Sequence, residues 1–178
     1  MTPLKIHDKE FEPYLTADVI QERIKEIAKK INEDYAGKRP LFVAVLNGSF
    51  MFASDLFKYL EIEAEICFIK LSSYKGTQST GKIITTIGLD DDLFARDVIL
   101  IEDIVDTGKT LHNFLPRLIH QQPKSLRLAT LLHKPEATEH PLSLDYVGFV
   151  IPNKFVVGYG LDYDGLGRNL KEIYQLVS

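Results

Sequence analysis

The chain alternates apolar segments with segments of helical periodicity, and this alternation restricts its possible folds more than any other feature. Leu41–Leu46 and Val98–Ile101 are apolar at every position, as is typical of strands covered on both faces in a parallel sheet. Further strands are predicted in "AEICFIKL", "KIITTIG", "SLRLATLLH" and "YVGFVI". The pattern predicts an α/β fold with a mainly parallel twisted sheet flanked by helices.

Helices are predicted between these strands. Thr16 is the expected N-cap of a helix in "ADVIQERIKEIAKKINEDY", where isoleucines recur every three or four residues. A second helix would carry Phe52, Leu56 and Leu60 on one side, and a third would run from about Gly108 to His120.

Polar residues follow three of the predicted strands, at Asn47-Gly48, Glu102–Thr110 and His133-Lys134. In parallel α/β sheets, ligands bind beyond the carboxyl ends of the strands. We therefore expect these three segments to carry the function.

Acidic residues accumulate at the end of the most continuously apolar strand, where Glu102, Asp103 and Asp106 lie close together in the sequence. A buried carboxylate that is ionised and unpaired is costly, so Glu102 and Asp103 require partners. Sugar hydroxyls or a hydrated divalent cation are the expected ones. A solvated turn is the alternative, and the aliphatic run before it argues against that reading.

The acidic strand end continues into "DTGKT". A Walker A loop also ends in Gly-Lys-Thr, but it requires a glycine where this chain has Asp103. The start of the following helix nevertheless offers free backbone N–H groups, two hydroxyls and a positive dipole end over Thr107–Thr110. Gly108 lets the backbone approach a ligand closely. This cradle suits a single phosphate monoester, and a simple loop-to-helix cap is the alternative.

Composition argues against several classes of function. The net charge of −4 disfavours nonspecific binding to nucleic acid or to anionic membranes. The single cysteine, Cys67, cannot form a disulfide within the chain and fits a reducing compartment. No run approaches the ~18 apolar residues of a membrane span, and the N-terminus lacks the apolar core of a signal peptide. We therefore expect a cytoplasmic protein that binds neither nucleic acid nor membranes.

Five ordered motifs resemble those of the hypoxanthine-guanine phosphoribosyltransferase family: "VLNGSF", "LSSY", "VILIEDIVDTGKTL", "LLHKP" and "IPNKFVVGYGLDYDGLGRN". The resemblance implies a type I phosphoribosyltransferase fold over residues 1–178 as a single domain, with a small hood built from the terminal segments. It also implies purine salvage, in which the 5-phosphoribosyl group of 5-phosphoribosyl 1-pyrophosphate is transferred to N9 of hypoxanthine or guanine. The products would be IMP or GMP and pyrophosphate.

For the sugar phosphate, the resemblance implies a 5′-phosphate site formed by Asp106, Thr107, Gly108, Lys109 and Thr110. Glu102 and Asp103 would hold the ribose 2′- and 3′-hydroxyls. These two carboxylates, together with Asp162, would also be associated with Mg²⁺, the implied cofactor.

For the purine, Asp106 matches the proposed general base, which takes the proton lost at N7 as N9 attacks. The alternative role for Asp106 is an N-cap. Lys134 would reach O6, and because lysine only donates hydrogen bonds it favours a carbonyl over the amino group of adenine. Phe155 would stack on the base, the Val156 backbone would contact its edge, and Asp162 would lie near its 2-position.

For the pyrophosphate, the resemblance implies a loop of Leu46, Asn47 and Gly48 with a non-proline cis peptide between the first two residues. Arg168 would add a guanidinium contact. This sequence departs from the family's pattern at two positions. Many relatives have a basic residue where this chain has Asn47, and an aromatic residue where it has Gly167.

Ser73 and Tyr74 match the family's mobile lid, at about residues 72–82. The segment "SSYKGTQSTG" contains no aliphatic residue, which independently predicts an exposed and mobile segment. Lid closure would protect a cationic ribose from water.

Two other functions are compatible with the sequence. A xanthine-preferring enzyme would also use Lys134, because all 6-oxopurines share the O6 carbonyl. A non-catalytic regulator of the same fold would be expected to have a basic surface and no need of Asp106. The acidic net charge and the full set of motifs favour catalysis, and the resemblance implies a homodimer or homotetramer.

Overall fold

The computed structural model describes residues 2–73, 83–87 and 92–177, with backbone only for 72–73 and 83–87. In chain order the elements are β1 Leu4–Ile6, β2 Lys9–Leu15, α1 Ala17–Asp34, β3 Leu41–Leu46, α2 Phe50–Lys58, β4 Glu65–Ser73, β5 Ile83–Ile87, β6 Asp97–Val105, α3 Lys109–His120, β7 Ser125–His133, β8 Tyr146–Val150, β9 Val156–Val157 and β10 Ile173–Leu176. A short 3₁₀ helix, Pro135–Ala137, follows β7.

The larger sheet has the strand order β5-β4-β3-β6-β7-β8. Its last five strands are parallel to their neighbours, and β5 pairs with β4 in the antiparallel direction. This confirms the predicted, mainly parallel α/β sheet. After β3 the chain adds β4 and β5 on one side of β3, and then β6, β7 and β8 on its other side. The strand order therefore reverses between β3 and β6. A crevice for ligands is expected at the carboxyl ends of these two strands.

Both faces of the larger sheet are covered, which explains why its central strands are continuously apolar. On β3, Phe42 and Ala44 pack in the core beneath α1 and α2. Leu41, Val43 and Val45 project from the opposite face into a second core that contains residues of α3. Because successive side chains of a strand point to opposite faces, a strand between two helical layers must be apolar throughout.

The helices begin close to their predicted starts. The Thr16 hydroxyl accepts a hydrogen bond from the Val19 N–H at 3.3 Å and caps α1, as predicted. Helix α2 ends at Lys58, so the predicted position of Leu60 within it is wrong. Helix α3 begins at Lys109, with Gly108 before it at φ +77°.

A second, antiparallel sheet with the order β1-β2-β10-β9 joins the two ends of the chain. We call it the hood sheet. Its own small core is formed by Ile6, Phe11, Val157 and Tyr174. This arrangement agrees with the hood of terminal segments that the resemblance implied, although its four strands were not individually predicted. Within the described residues, no helix is both long and apolar enough to cross a bilayer.

Candidate active site

The carboxyl ends of β3, β6 and β7 meet at one edge of the larger sheet, which we call the carboxyl edge. A cavity of about 260 Å³ lies there and is lined by the continuous segment Glu102–Leu111. This segment is the acidic strand end and helix start that the sequence singled out. Its walls are carboxylates on one side and a helix N-terminus on the other.

Neither of the two strand carboxylates forms an ion pair with another described residue, and both are largely withdrawn from water. The Glu102 Oε2 atom is inaccessible and has no hydrogen-bond partner among the described residues. Burial raises the pKa of Glu102 well above its ordinary value, and the neighbouring Asp103 charge raises it further. Burial likewise raises the pKa of Asp103 to about 6, against the opposing effects of its backbone hydrogen bonds and of Arg168. Glu102 therefore lacks a hydrogen-bond donor or a cation among the described residues, whereas the Asp103 Oδ1 atom accepts the Ile104 N–H at 2.8 Å.

Asp103 lies directly against the loop after β3. A Cβ placed on Gly48 would fall 1.5 Å from the Asp103 Oδ2 atom, so only glycine allows this approach. The peptide bond between Leu46 and Asn47 is cis, as the resemblance implied. The Ser49 hydroxyl is fully buried and donates a hydrogen bond to the Val45 carbonyl at 2.6 Å, which fixes the loop to the end of β3.

The helix start contains the segment for which the anion cradle was predicted. The Thr107 hydroxyl accepts a hydrogen bond from the Lys109 N–H at 3.3 Å. The left-handed backbone of Gly108 turns the chain into α3, and a Cβ there would lie 2.3 Å from the His140 carbonyl oxygen. The first turn of α3 contains no acidic residue, so nothing in that turn opposes the binding of an anion.

Asp106 and Lys134 form an ion pair across the site, with 3.2 Å between the Lys134 Nζ and the Asp106 Oδ2 atoms. The lysine side chain is only 6% exposed, whereas the aspartate is 47% exposed. Asp106 does not cap α3. Gly108 occupies the N-cap position, and no described side chain makes a capping hydrogen bond to the start of the helix. The N-cap interpretation of Asp106 is therefore wrong.

The segment Thr138–His140, which the sequence analysis did not single out, supports this loop from behind. The Thr138 hydroxyl lies within hydrogen-bond reach of the backbone carbonyls of Asp106, at 3.2 Å, and Lys134, at 3.0 Å. The N–H groups of Glu139 and His140 donate to the Thr107 carbonyl. These bonds couple the ends of β6 and β7 across a long separation in sequence, which no local pattern reveals.

Arg168 is anchored on the hood side of the site. Its guanidinium lies 2.6 Å from Asp162 and donates to the Gly160 carbonyl at 2.7 Å. The second Asp162 oxygen accepts the Gly165 N–H at 2.8 Å, so both oxygens of that carboxylate are engaged. Gly167 has φ +100°, and a Cβ there would lie 2.4 Å from Val157. The backbone at Gly167 therefore packs tightly, and Arg168 is held in place although no aromatic residue precedes it.

Phe155 and Val156 lie at the edge of the hood sheet. The Phe155 ring is 41% exposed and is supported by the rings of Phe11 and Tyr163, at centroid distances of 6.3 and 5.8 Å. Val156 is buried in β9. Lys9 approaches both the Phe155 and Tyr163 rings, at 6.0 and 5.1 Å from their centroids. A half-exposed, supported aromatic ring can stack against a planar ligand.

The lid prediction lies almost wholly outside the described residues. The backbone of Ser73 ends β4, and Tyr74 belongs to the undescribed segment 74–82.

A helix N-terminus beside strand-end carboxylates at the switch point of a parallel α/β sheet is typical of the class of proteins that bind sugar phosphates or nucleotides. Residues 14–164 match the family model described as "Phosphoribosyl transferase domain". The chain belongs to this phosphoribosyltransferase family.

Individual relatives agree with this assignment. The chain is 44% identical over 158 residues to the hypoxanthine-guanine phosphoribosyltransferase of Streptococcus agalactiae, covering 88% of this chain and 87% of the relative. It is 42% identical over 160 residues to the bifunctional protein TilS/HprT of Listeria innocua, and this match covers 89% of the chain. The chain spans only 25% of the length of that relative. A crystal structure of a hypoxanthine-guanine phosphoribosyltransferase from Bacillus anthracis, with HEPES in its active site, superposes with a TM-score of 0.88 at 40% identity, over 93% of this chain and 98% of the other.

Proposed function

We propose that the protein transfers the 5-phosphoribosyl group of 5-phosphoribosyl 1-pyrophosphate to N9 of hypoxanthine, guanine or both, in purine salvage. The observation that carries the proposal is the buried acidic pair beside an anion cradle. Burial raises the pKa of both Glu102 and Asp103, and the segment Thr107–Thr110 lines the same cavity. A phosphorylated ribose supplies hydroxyls to the former and a phosphate to the latter at once.

The ion pair of Asp106 and Lys134 supports a purine with an O6 carbonyl. Lys134 can donate to O6 but cannot accept from an amino group, so adenine is disfavoured. Asp106, 3.2 Å from the Lys134 ammonium, accepts the proton that leaves N7 as the N9 lone pair forms the bond to C1 of ribose. The bond from C1 to the pyrophosphate oxygen breaks, and pyrophosphate leaves with the electron pair. Arg168 and the backbone of the loop at Asn47-Gly48 receive the leaving group.

The donor set fits Mg²⁺ that enters with the substrate. No group of three or more His, Cys, Asp or Glu residues able to hold a metal occurs among the described residues. Mg²⁺ is usually bound through one or two carboxylates together with substrate phosphates and water. Glu102 and Asp103 would hold it, and Asp162 would contact its water shell. When bound, the metal neutralises charge on the pyrophosphate and lowers the cost of its departure.

Two broader features belong to the same proposal. The single cysteine and the purine chemistry support a cytoplasmic setting. A homodimer or homotetramer is the proposed assembly, as implied by the family resemblance.

A direct rate comparison tests the proposed function. Hypoxanthine, guanine, xanthine and adenine should each be supplied with 5-phosphoribosyl 1-pyrophosphate, with and without Mg²⁺. We expect nucleotide formation from hypoxanthine or guanine only when Mg²⁺ is present, and none from adenine. Conversion of adenine at a rate comparable to that of hypoxanthine would refute the role of Lys134. Faster conversion of xanthine than of either other 6-oxopurine would favour the xanthine-preferring alternative.

A further inference from the structure

Tyr159, which is itself buried, connects the hood side of the molecule to helix α2 through a partly buried hydrogen-bond network. Its side chain is 2% exposed, and its hydroxyl donates to the Asp55 Oδ2 atom at 2.5 Å. The Gln21 amide donates to the same oxygen at 2.6 Å. Lys58 pairs with the other oxygen, Oδ1, at 2.7 Å, and this lysine is exposed. A carboxylate on α2 is thus held between one buried phenol and two further donors.

The electrostatics of this network favour an ionised Asp55 and a neutral phenol. Burial acts to raise the pKa of Asp55, but the hydrogen bonds from Lys58, Tyr159 and Gln21 outweigh it, and the pKa lies below its ordinary value. Burial and the Asp55 charge both raise the pKa of Tyr159. Hydrogen bonds with one ionised partner are roughly twice as strong as neutral ones, so this bond holds Tyr159 firmly.

The backbone around Tyr159 reaches the pyrophosphate end of the candidate site. Tyr159 has φ +49°, and Gly158 and Gly160 on either side also have positive φ angles. Gly160 lies against the loop after β3, because a Cβ there would fall 2.1 Å from the Gly48 carbonyl oxygen. Gly160 also exchanges two hydrogen bonds with Arg168, one from its N–H at 3.0 Å and one to its carbonyl at 2.7 Å.

We propose that Tyr159 and Asp55 are positioning residues, which set the place of Gly160 and thereby hold Arg168 and the Asn47-Gly48 loop in register for the pyrophosphate group. This inference rests on the proposed function and adds residues that contact no substrate themselves. Packing in the core requires only the aromatic ring, which a phenylalanine at position 159 would also supply. The hydroxyl adds a directional bond that fixes the left-handed turn on α2, the helix that begins three residues after Asn47.

The test uses Tyr159→Phe in the full chain. The variant removes one oxygen atom and leaves the ring in place. We expect the KM for 5-phosphoribosyl 1-pyrophosphate to rise about tenfold, which corresponds to the loss of one hydrogen bond to a charged group. The KM for hypoxanthine should change less than twofold, because the Lys134 side of the site is held by Thr138 and not by Tyr159. Asp55→Asn retains an acceptor oxygen for the phenol, so its effect on the same KM should be smaller.

Two matched controls separate positioning from a general loss of stability. Tyr146→Phe removes a comparable, partly buried hydrogen bond far from the candidate site: the Tyr146 hydroxyl, at the amino end of β8, donates to Asp34 at 2.7 Å. It should lower the melting temperature without changing either KM. Lys58→Gln removes the exposed partner of Asp55 and leaves the Tyr159 bond, so both KM values should stay unchanged.

A second readout does not depend on turnover. Titration calorimetry of wild type and Tyr159→Phe with 5-phosphoribosyl 1-pyrophosphate and Mg²⁺ should give a tenfold weaker Kd for the variant. If the wild type binds this ligand but converts no purine, the proposed function fails while the positioning role is still measured. The positioning role is refuted if Tyr159→Phe binds 5-phosphoribosyl 1-pyrophosphate as tightly as the wild type does. It is also refuted if the variant raises the KM values of both substrates equally, because that result would indicate a general distortion of the fold.

Discussion

The two edges of the larger sheet hold their acidic groups in opposite ways. At the amino edge, where β7 and β8 begin, Asp34 accepts hydrogen bonds from Tyr146 at 2.7 Å and Arg127 at 2.6 Å. The Tyr146 hydrogen bond, opposed by burial and aided by Arg127, holds the pKa of Asp34 below its ordinary value. At the carboxyl edge, burial raises the pKa of Asp103 and of Glu102. The Asp34 carboxylate finds its hydrogen-bond partners within the chain. At the carboxyl edge, a Glu102 oxygen has no partner among the described residues, so a bound ligand is expected to supply one.

This difference separates stability from function. A carboxylate with a lowered pKa stabilises the folded protein at neutral pH, and one with a raised pKa destabilises it there. Functional sites are where such unfavourable groups are retained. Changes at the carboxyl edge should therefore reduce activity and can raise stability, while changes at the amino edge should reduce stability alone.

Asp106→Asn should have the largest effect. The amide cannot accept the proton from the purine, so kcat should fall about 1,000-fold, within the usual contribution of a general base. Asp106 does not cap α3, but the variant leaves the nearly buried Lys134 ammonium without its anionic partner, so the melting temperature should fall. Steady-state kinetics with hypoxanthine, together with titration of 5-phosphoribosyl 1-pyrophosphate, measure both quantities. An unchanged kcat would contradict the assignment, and so would a loss of binding equal to the loss of turnover.

Gly48→Ala should have the next largest effect. The new Cβ would overlap the Asp103 carboxylate, and displacement of a catalytic group by about 1 Å can cost on the order of 100-fold in rate. We expect kcat/KM for 5-phosphoribosyl 1-pyrophosphate to fall by that factor.

Gly37→Ala is the matched control on the loop before β3. No atom lies within 4 Å of a Cβ at Gly37, whose φ is +71°. The left-handed backbone should cost about 1 kcal/mol in unfolding free energy, and kinetic constants should stay unchanged. Equal kinetic losses in the two glycine variants would contradict the contact between Gly48 and Asp103.

Asp103→Asn should raise stability at neutral pH while lowering activity. The folded-state pKa of about 6 lies above the ordinary aspartate value of 3.8, so the folded protein binds more protons than the unfolded chain between these values. Stability is therefore lost as the pH rises from about 4 to about 6. The variant removes this loss and should gain about 2 kcal/mol in unfolding free energy at pH 7.5 but little at pH 4. Urea unfolding at both pH values checks this, and a destabilised variant at pH 7.5 would contradict it.

Asp34→Asn should show the opposite sign and the smallest effect. Its lowered pKa means that the stabilisation is present at neutral pH and is lost as the pH falls through the folded-state pKa. The variant should lose about 1 kcal/mol at pH 7.5, as for one weakened hydrogen bond, and keep the kcat and KM values of the wild type. The same urea experiment measures this, and a kinetic defect in Asp34→Asn would break the separation between the two edges.

Local pattern was sufficient to predict the larger sheet and its helices. Leu41–Leu46 and Ser125–His133 were predicted with the bounds that the structure gives, because apolar composition on both faces is a direct consequence of burial between helices. The expected family is confirmed by the match over residues 14–164. Most hood strands lacked such a signal. They are short, and β9 has only two residues, so pairing between distant ends of the chain determines them.

Local pattern predicted the acidic strand end and the strand ends that meet it, whereas Phe155, Asp162 and Arg168 were predicted only from the family resemblance. The cluster from Glu102 to Thr110 is contiguous, so its acidic and anion-binding parts were visible together. Contacts that join distant segments were not visible. Tyr159 meets Asp55 across 104 residues, and the hydroxyl of Thr138 reaches Asp106 across 32. The predicted N-cap role of Asp106 was wrong because the glycine two residues later takes that position in a left-handed conformation.

A crystal structure with bound GMP and Mg²⁺ tests the central claim most directly. The account predicts the 5′-phosphate on the backbone amides of Thr107–Thr110, with the ribose hydroxyls facing Glu102 and Asp103. A phosphate bound anywhere else, or a ribose whose hydroxyls point away from both carboxylates, would contradict it.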